Sequence, residues 1–63
     1  MTPDIQTVDE GSVFGFRPLT EAGEAWLVEH LSHAQCLGKT RYCEPRYAQP
    51  IIDGMLADGL LLG

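Results

Sequence analysis

The most constraining feature of the sequence is a helical repeat of apolar residues in its last quarter. The repeat follows the i, i+3, i+4, i+7, i+8 spacing of one buried helix face and comprises Ala48, Ile51, Ile52, Met55 and Leu56. The ring of Pro50 restricts the start of this helix to Tyr47 or Ala48. Gly59 ends it, and residues 60–62, three leucines, predict a short last strand or an apolar plug.

An amphipathic helix needs other elements to cover its apolar face, and this chain has room for one small core. Its 63 residues form one domain, with 44% apolar content that is typical of folded rather than disordered proteins. Residues 1–11 are polar and contain three acids, so they predict a flexible N-terminal arm. We therefore expect a single domain over residues 12–63.

A strand and a first helix are predicted next. Ser12 to Leu19 reads as a strand with Phe14 and Phe16 on its buried face. Thr20 is a suitable N-cap for a helix from Glu21 to His30 or Leu31. The helical wheel gives this helix an inner side made of Gly23, Trp26, Leu27, His30 and Leu31. We expect a mostly buried Trp26 and a close approach of Gly23 to the sheet.

The segment from residue 34 to residue 43 predicts a β-hairpin. Its two-residue loop, Gly38-Lys39, suits a type II′ turn. The resulting register pairs Leu37 with Thr40, Cys36 with Arg41, and Gln35 with Tyr42, and it places Cys36 and Cys43 on the inner face. The predicted order is β-α-β-β-α-β: an α+β fold in which two helices pack on one face of a small antiparallel sheet.

Four residues of the types that bind zinc occur close together, namely His30, His33, Cys36 and Cys43. The two histidines straddle a helix end, and neither cysteine belongs to a C-x2-C knuckle. Two reduced, buried thiols with two boundary imidazoles are the simpler interpretation, so no metal is expected. A Cys36–Cys43 disulfide stays open, because the hairpin register makes these residues diagonal neighbours.

The remaining motifs do not predict an enzyme or a nucleotide site. Gly38-Lys39-Thr40 lacks the glycine that a phosphate-binding loop requires five residues earlier. A His33–Cys36 dyad would lack both a supporting third group and a walled cleft. Bases and aromatics mix between residues 39 and 47, as in single-strand binders, but three bases give a small electrostatic footprint. We expect no catalysis, no cofactor and no direct nucleic-acid binding.

The charges of the chain are strongly segregated. Lys39, Arg41 and Arg46 lie within nine residues beside the single acid Glu44, whereas the only other base is Arg17, and the net charge is −5. A surface covered by carboxylates repels nucleic acid and attracts basic proteins. The predicted contacts with such a partner are Glu21, Glu24 and Glu29 on the outer side of the first helix, with Asp53 and Asp58 as a second cluster.

From Gly11 onward, the chain resembles a group of short acidic proteins encoded by phages and mobile elements of bacteria. The motifs that carry this resemblance are Pro18-Leu19-Thr20, Trp26-Leu27, Gly38, Glu44-Pro45-Arg46-Tyr47 and Asp58-Gly59-Leu60. In size and acidity it also resembles small anti-CRISPR proteins, several of which occupy the DNA-binding surface of a host surveillance complex.

This resemblance implies a non-enzymatic inhibitor that binds a basic, nucleic-acid-binding surface, with a CRISPR effector complex as the expected partner. The alternative is a small structural or regulatory subunit that forms a homodimer through its apolar tail and an edge strand. The longest apolar run is only residues 60–62, and residues 1–12 lack the pattern of a signal peptide. We therefore expect no membrane contact and a cytoplasmic location, which for a phage protein is the host cytoplasm.

Overall fold

The computed structural model describes residues 2–32 and 34–63. Its elements, in chain order, are β1 (Ile5–Asp9), β2 (Phe14–Pro18), α1 (Glu21–His30), β3 (Gln35–Leu37), β4 (Thr40–Cys43) and α2 (Pro45–Ala57). The four strands form one antiparallel sheet in the order β1-β2-β4-β3. The α+β class with an antiparallel sheet is therefore confirmed, but the order of elements is β-β-α-β-β-α.

The N-terminal segment belongs to the fold, so the prediction of an arm over residues 1–11 is wrong for β1. Ile5 is completely buried, and β1 pairs along its whole length with β2. On its other side, β1 meets the end of the chain, where Leu62 forms a parallel bridge to Ile5. The last strand predicted for residues 60–62 is thus only a single bridge between Leu62 and Ile5. A hydrogen bond from the Gly63 N–H to the Ile5 carbonyl (2.9 Å) stabilises this bridge.

The core lies between one face of the sheet and the inner sides of both helices. Its buried members are Ile5, Phe16, Trp26, Leu27, Ala48, Met55 and Leu60. Phe16 is fully buried and Phe14 is half-buried, with ring centroids 5.3 Å apart, as the alternation in β2 predicts. Trp26 is only 9% exposed, which confirms that it is mostly buried.

The β3–β4 hairpin has the predicted register. Leu37 pairs with Thr40, Cys36 with Arg41, and Gln35 with Tyr42. Gly38 has φ +63°, the positive value that a type II′ turn requires at its first central position. Cys36 is nevertheless exposed, contrary to the prediction of a buried thiol, because β3 lies at the sheet edge.

Helix α2 begins at Pro45, two residues before the earliest predicted start. Proline at the first helical position loses no hydrogen bond, and its fixed φ suits the helix. Pro50 therefore lies inside α2, where it cannot donate the usual bond to the Arg46 carbonyl. Ala48 and Met55 are the buried residues of α2, whereas Leu56, predicted to be in the apolar face, is 54% exposed.

The end of α2 is closed by a Schellman motif. Gly59, at φ +85°, donates its N–H to the Leu56 carbonyl (3.1 Å), and Leu60 donates to the Met55 carbonyl (3.0 Å). Leu60 and Met55 are both buried, which supplies the apolar contact that accompanies this motif. The predicted glycine stop is confirmed, and it directs the last residues back towards β1.

Candidate functional site: an acidic helical surface

The outer side of α1 carries three carboxylates. Thr20 caps the helix by accepting a hydrogen bond from the Gly23 N–H (3.1 Å), which fixes the first turn. Because Trp26 and Leu27 face the core, Glu21 and Glu29 project into solvent. Glu24 is half-buried and lies 3.4 Å from the Lys39 ammonium group, so one of the three predicted contact residues is engaged within the chain.

The second predicted cluster divides into one solvent-facing carboxylate and one engaged carboxylate. Asp53 is exposed and accepts a hydrogen bond from Gln49 Nε2 (2.9 Å). Asp58 Oδ2 accepts a hydrogen bond from the Trp26 indole N–H (2.7 Å) and lies 3.9 Å from His30 Nε2. Asp58 therefore links the end of α2 to α1, a structural role that the sequence did not indicate.

His30 forms the third member of this contact. Its ring stacks on the Trp26 ring, with centroids 4.0 Å apart and an interplanar angle of 16°. Its Nδ1 lies 3.0 Å from the Trp26 carbonyl oxygen, so a tautomer with a proton on Nδ1 donates to that carbonyl. The imidazole, predicted to lie on the inner side of α1, thus covers the edge of the core and remains accessible to solvent.

Two of the four bases form ion pairs within the part of the chain that the structure describes. Lys39 pairs with Glu24, and Arg46 Nε lies 2.9 Å from Glu44 Oε2 while its guanidinium stacks over the Tyr47 ring. Within the described residues, these two pairs leave seven carboxylates against two guanidinium groups. The uncompensated charge of the surface is therefore negative, and the predicted basic-aromatic cluster is mostly neutralised.

Asp4 is a tightly held carboxylate that sequence reasoning placed in the N-terminal arm. Its Oδ1 accepts from the Thr20 hydroxyl (2.7 Å), and its Oδ2 accepts from the Leu61 N–H (3.0 Å). The Leu61 N–H, followed by the Thr20 hydroxyl, lowers the pKa of Asp4 below its ordinary value. The local sequence around Asp4 does not reveal these partners, which lie 16 and 57 residues away along the chain.

The residues considered as zinc ligands do not converge in the described part of the chain. His30, Cys36 and Cys43 belong to no group of three metal-binding side chains, and the prediction for His33 lies outside the described residues. The Cys36 thiol is exposed and donates to the Gly38 carbonyl (2.8 Å). Cys43 is half-buried, and burial, followed by the negative charge of Glu44, raises the pKa of its thiol.

Two concave regions flank the β3–β4 hairpin. One, of about 140 Å³, lies between α1 and the hairpin. The other, of about 280 Å³, follows β3 and is lined by Val13, Gln35, Cys36, Leu37 and Tyr42. Gly15 makes room for the Tyr42 ring, since a Cβ there would lie 2.9 Å from Cε1 of Tyr42.

Among the described residues, no helix combines the length and apolar character that crossing a bilayer requires. No protein-family model matches the chain, and no curated protein or solved structure is significantly similar to it.

Proposed function

We propose that the chain is a non-enzymatic acidic inhibitor that binds a basic, nucleic-acid-binding surface of a host complex. In this it would act as small anti-CRISPR proteins do, with a CRISPR effector complex as the expected target. The observation that supports the proposal is the imbalance of charge: seven carboxylates remain against two guanidinium groups after the Lys39–Glu24 and Arg46–Glu44 ion pairs are counted. Such a surface is attracted to sites that otherwise bind phosphates.

The solvent-facing carboxylates are the best candidates for direct contact. Glu21 and Glu29 lie on the outer side of α1, and Asp53 lies on the exposed side of α2. Glu24 can join them, because an exposed ion pair such as Glu24–Lys39 contributes only about 0–1 kcal/mol and is readily exchanged for a partner's base. Asp58 contributes least, since it already accepts the Trp26 indole hydrogen bond.

Charge-matched variants test which carboxylates make the contact. The double variant Glu21→Gln/Glu29→Gln and the control Asp9→Asn/Glu10→Gln remove the same net charge, and all four side chains are exposed. We expect the α1 variant to slow association and weaken displacement of labelled target DNA from purified CRISPR effector complexes, with a smaller effect for the control. Inhibition by the wild type should also weaken as salt rises, because screening acts beyond about 8–10 Å.

Two results would contradict this proposal. If the wild type displaces DNA from none of the effector complexes, the inhibitor function is wrong. If it displaces DNA and the α1 variant is as potent as the wild type while remaining folded, the activity is real but α1 is not the contact.

A homodimeric structural subunit is the second candidate, and the exposed edge of the sheet favours it. All three residues of β3 are exposed, and Leu37 is 74% exposed. An unprotected edge strand is a ready site for pairing with another strand. The apolar tail gives this alternative less support, because Leu60 is buried and Leu62 bridges to β1. Sedimentation equilibrium distinguishes the two: a dimer that Leu37→Lys dissociates supports this function, and a monomeric wild type contradicts it.

A further inference from the structure

Arg41 occupies an unusual position for a base in an acidic protein. It pairs in register with the fully buried Phe16, so its side chain leaves the sheet on the face that the helices cover. It is half-buried, yet no ion pair or side-chain hydrogen bond joins it to any residue that the structure describes. No side-chain nitrogen among the described residues is both buried and unpartnered, so the Arg41 guanidinium faces solvent, where a bound anion can accept its hydrogen bonds.

The cavity beside Arg41 has both a charged and an apolar lining. Its volume is about 140 Å³, and Pro18, Leu27 and Val28 supply its apolar wall. Lys39 lies at the same cavity, held by Glu24 at 3.4 Å. Lys39 and Arg41 against Glu24 give the cavity a positive local charge, whereas the whole chain is negative. The chain as a whole therefore does not attract anions over long distances, and an anion binds in the cavity only through direct contacts.

We propose that this cavity binds a small monocarboxylate that carries a short, branched apolar group. The fork of Arg41 holds the carboxylate through two parallel hydrogen bonds, as guanidinium groups do. The apolar group packs against Leu27 and Val28, and the Val28 side chain is 51% exposed. This site involves a different ligand and different residues from the proposed contact of Glu21 and Glu29 with a host complex.

The size of the cavity limits the ligand. Apolar cavities of about 150 Å³ bind benzene, so a volume of about 140 Å³ suits roughly six non-hydrogen atoms. Isobutyrate has this size, and the last residue of a peptide that ends in valine presents the same carboxylate and branched group. A free short-chain acid and the C-terminus of a peptide can therefore both supply the carboxylate and the branched apolar group that the cavity fits.

Amide chemical-shift titrations test the site with defined probes. Sodium isobutyrate is compared with the neutral isostere isobutyramide, and a short peptide ending in valine is compared with its C-terminally amidated form. We expect saturable shifts around Val28, Gly38 and Lys39 with the carboxylates and much weaker ones with the two amides. If the free acid binds at least as tightly as the peptide, the ligand of the site is a small metabolite. If the peptide binds clearly more tightly, the ligand is the C-terminus of a protein.

Variants identify the group that recognises the anion. Arg41→Gln should weaken carboxylate binding by at least about tenfold, the usual effect of removing a hydrogen bond to a charged group. The control Arg17→Gln changes the same residue type at an exposed position of β2 and should leave binding unchanged. Glu24→Gln should tighten binding, since it releases Lys39 and removes a competing carboxylate.

The proposal is overturned if neither carboxylate gives saturable shifts, or if the amides bind as well as the acids. It also fails if Arg41→Gln and Arg17→Gln have the same effect. If Arg41→Gln does not fold, Arg41→Lys is used instead, because lysine keeps the positive charge but cannot form two parallel hydrogen bonds with a carboxylate. The Arg41→Lys protein must then bind the carboxylate probes more weakly than the wild type does.

Discussion

The indole N–H of Trp26 donates a 2.7 Å hydrogen bond to the carboxylate of Asp58, which joins the middle of α1 to the C-terminal end of α2. Trp26 is the largest residue of the core, and the ring of His30 covers its outer face. Gly54 of α2 lies beside the indole, where a Cβ would be 3.4 Å from Cζ2. The packing of the two helices against each other is thus organised around one side chain.

Removal of the Asp58 carboxylate should destabilise the protein measurably. We expect Asp58→Ala to lower the free energy of unfolding by about 1–3 kcal/mol, because it leaves a mostly buried indole N–H without its charged acceptor. Urea unfolding followed by circular dichroism measures this change. Asp53→Ala on the exposed side of α2 is the control, with an expected change within about 0.5 kcal/mol. Equal stability of the two variants would show that the Trp26–Asp58 bond contributes little.

Two helical glycines should respond in opposite ways to replacement by alanine. A Cβ at Gly23 would overlap the carbonyl oxygen of Asp4, so Gly23→Ala must displace either α1 or the start of β1. The gain in helix propensity, about 1 kcal/mol, does not compensate for such a backbone clash. At Gly54 the added Cβ would meet only the Trp26 ring at contact distance.

We therefore expect Gly23→Ala to lower the thermal midpoint and Gly54→Ala to leave it unchanged or raise it. Differential scanning calorimetry of both variants gives the comparison directly. A Gly23→Ala protein as stable as the wild type would mean that α1 and β1 separate at little cost.

Elements marked by local signals could be predicted from the sequence. The Thr20 cap fixed the start of α1, and Gly38 with positive φ fixed the register of the hairpin. β1 could not be predicted in this way, because Ile5 is its single fully buried residue and its partners include residues 61–63. The predicted start of α2 is two residues late, because Pro45 suits the first helical position and α2 accommodates Pro50 in its interior.

The candidate site was predictable only in outline. The helical wheel of α1 correctly placed Glu21 and Glu29 in solvent, since periodicity determines which side faces the core. The engagement of Glu24 by Lys39 and of Asp58 by Trp26 depends on how separate elements pack. The spacing of residues along the sequence does not predict such contacts between elements. It also does not predict that Arg41 lies beside α1.

Asp4 should make part of the stability depend on acidic pH. Its pKa is lower in the folded protein than in the unfolded chain, so its contribution to stability is complete above the unfolded pKa of 3.8. This contribution is lost as pH falls through the folded pKa. Asp4→Asn should therefore be less stable than the wild type at pH 7, and the difference should shrink as the pH falls below about 4.

Urea unfolding at a series of pH values measures the difference between Asp4→Asn and the wild type. Asp53→Asn, in which an exposed carboxylate of α2 is neutralised, should differ little from the wild type throughout. A difference between Asp4→Asn and the wild type that stays constant from pH 7 to pH 3 would contradict the role of the Leu61 and Thr20 hydrogen bonds.

The two cysteines should differ in their reaction with a disulfide reagent. The thiolate is the reactive form, and burial raises the pKa of Cys43, whereas Cys36 is exposed at the sheet edge. We expect the Cys43→Ser variant, which retains Cys36, to react several-fold faster than Cys36→Ser under native conditions. In denaturant the two rates should converge, because both thiols are then solvated. A wild-type protein that gives no reaction until it is reduced would instead indicate a Cys36–Cys43 disulfide, and equal native rates would show that Cys43 is not protected by the core.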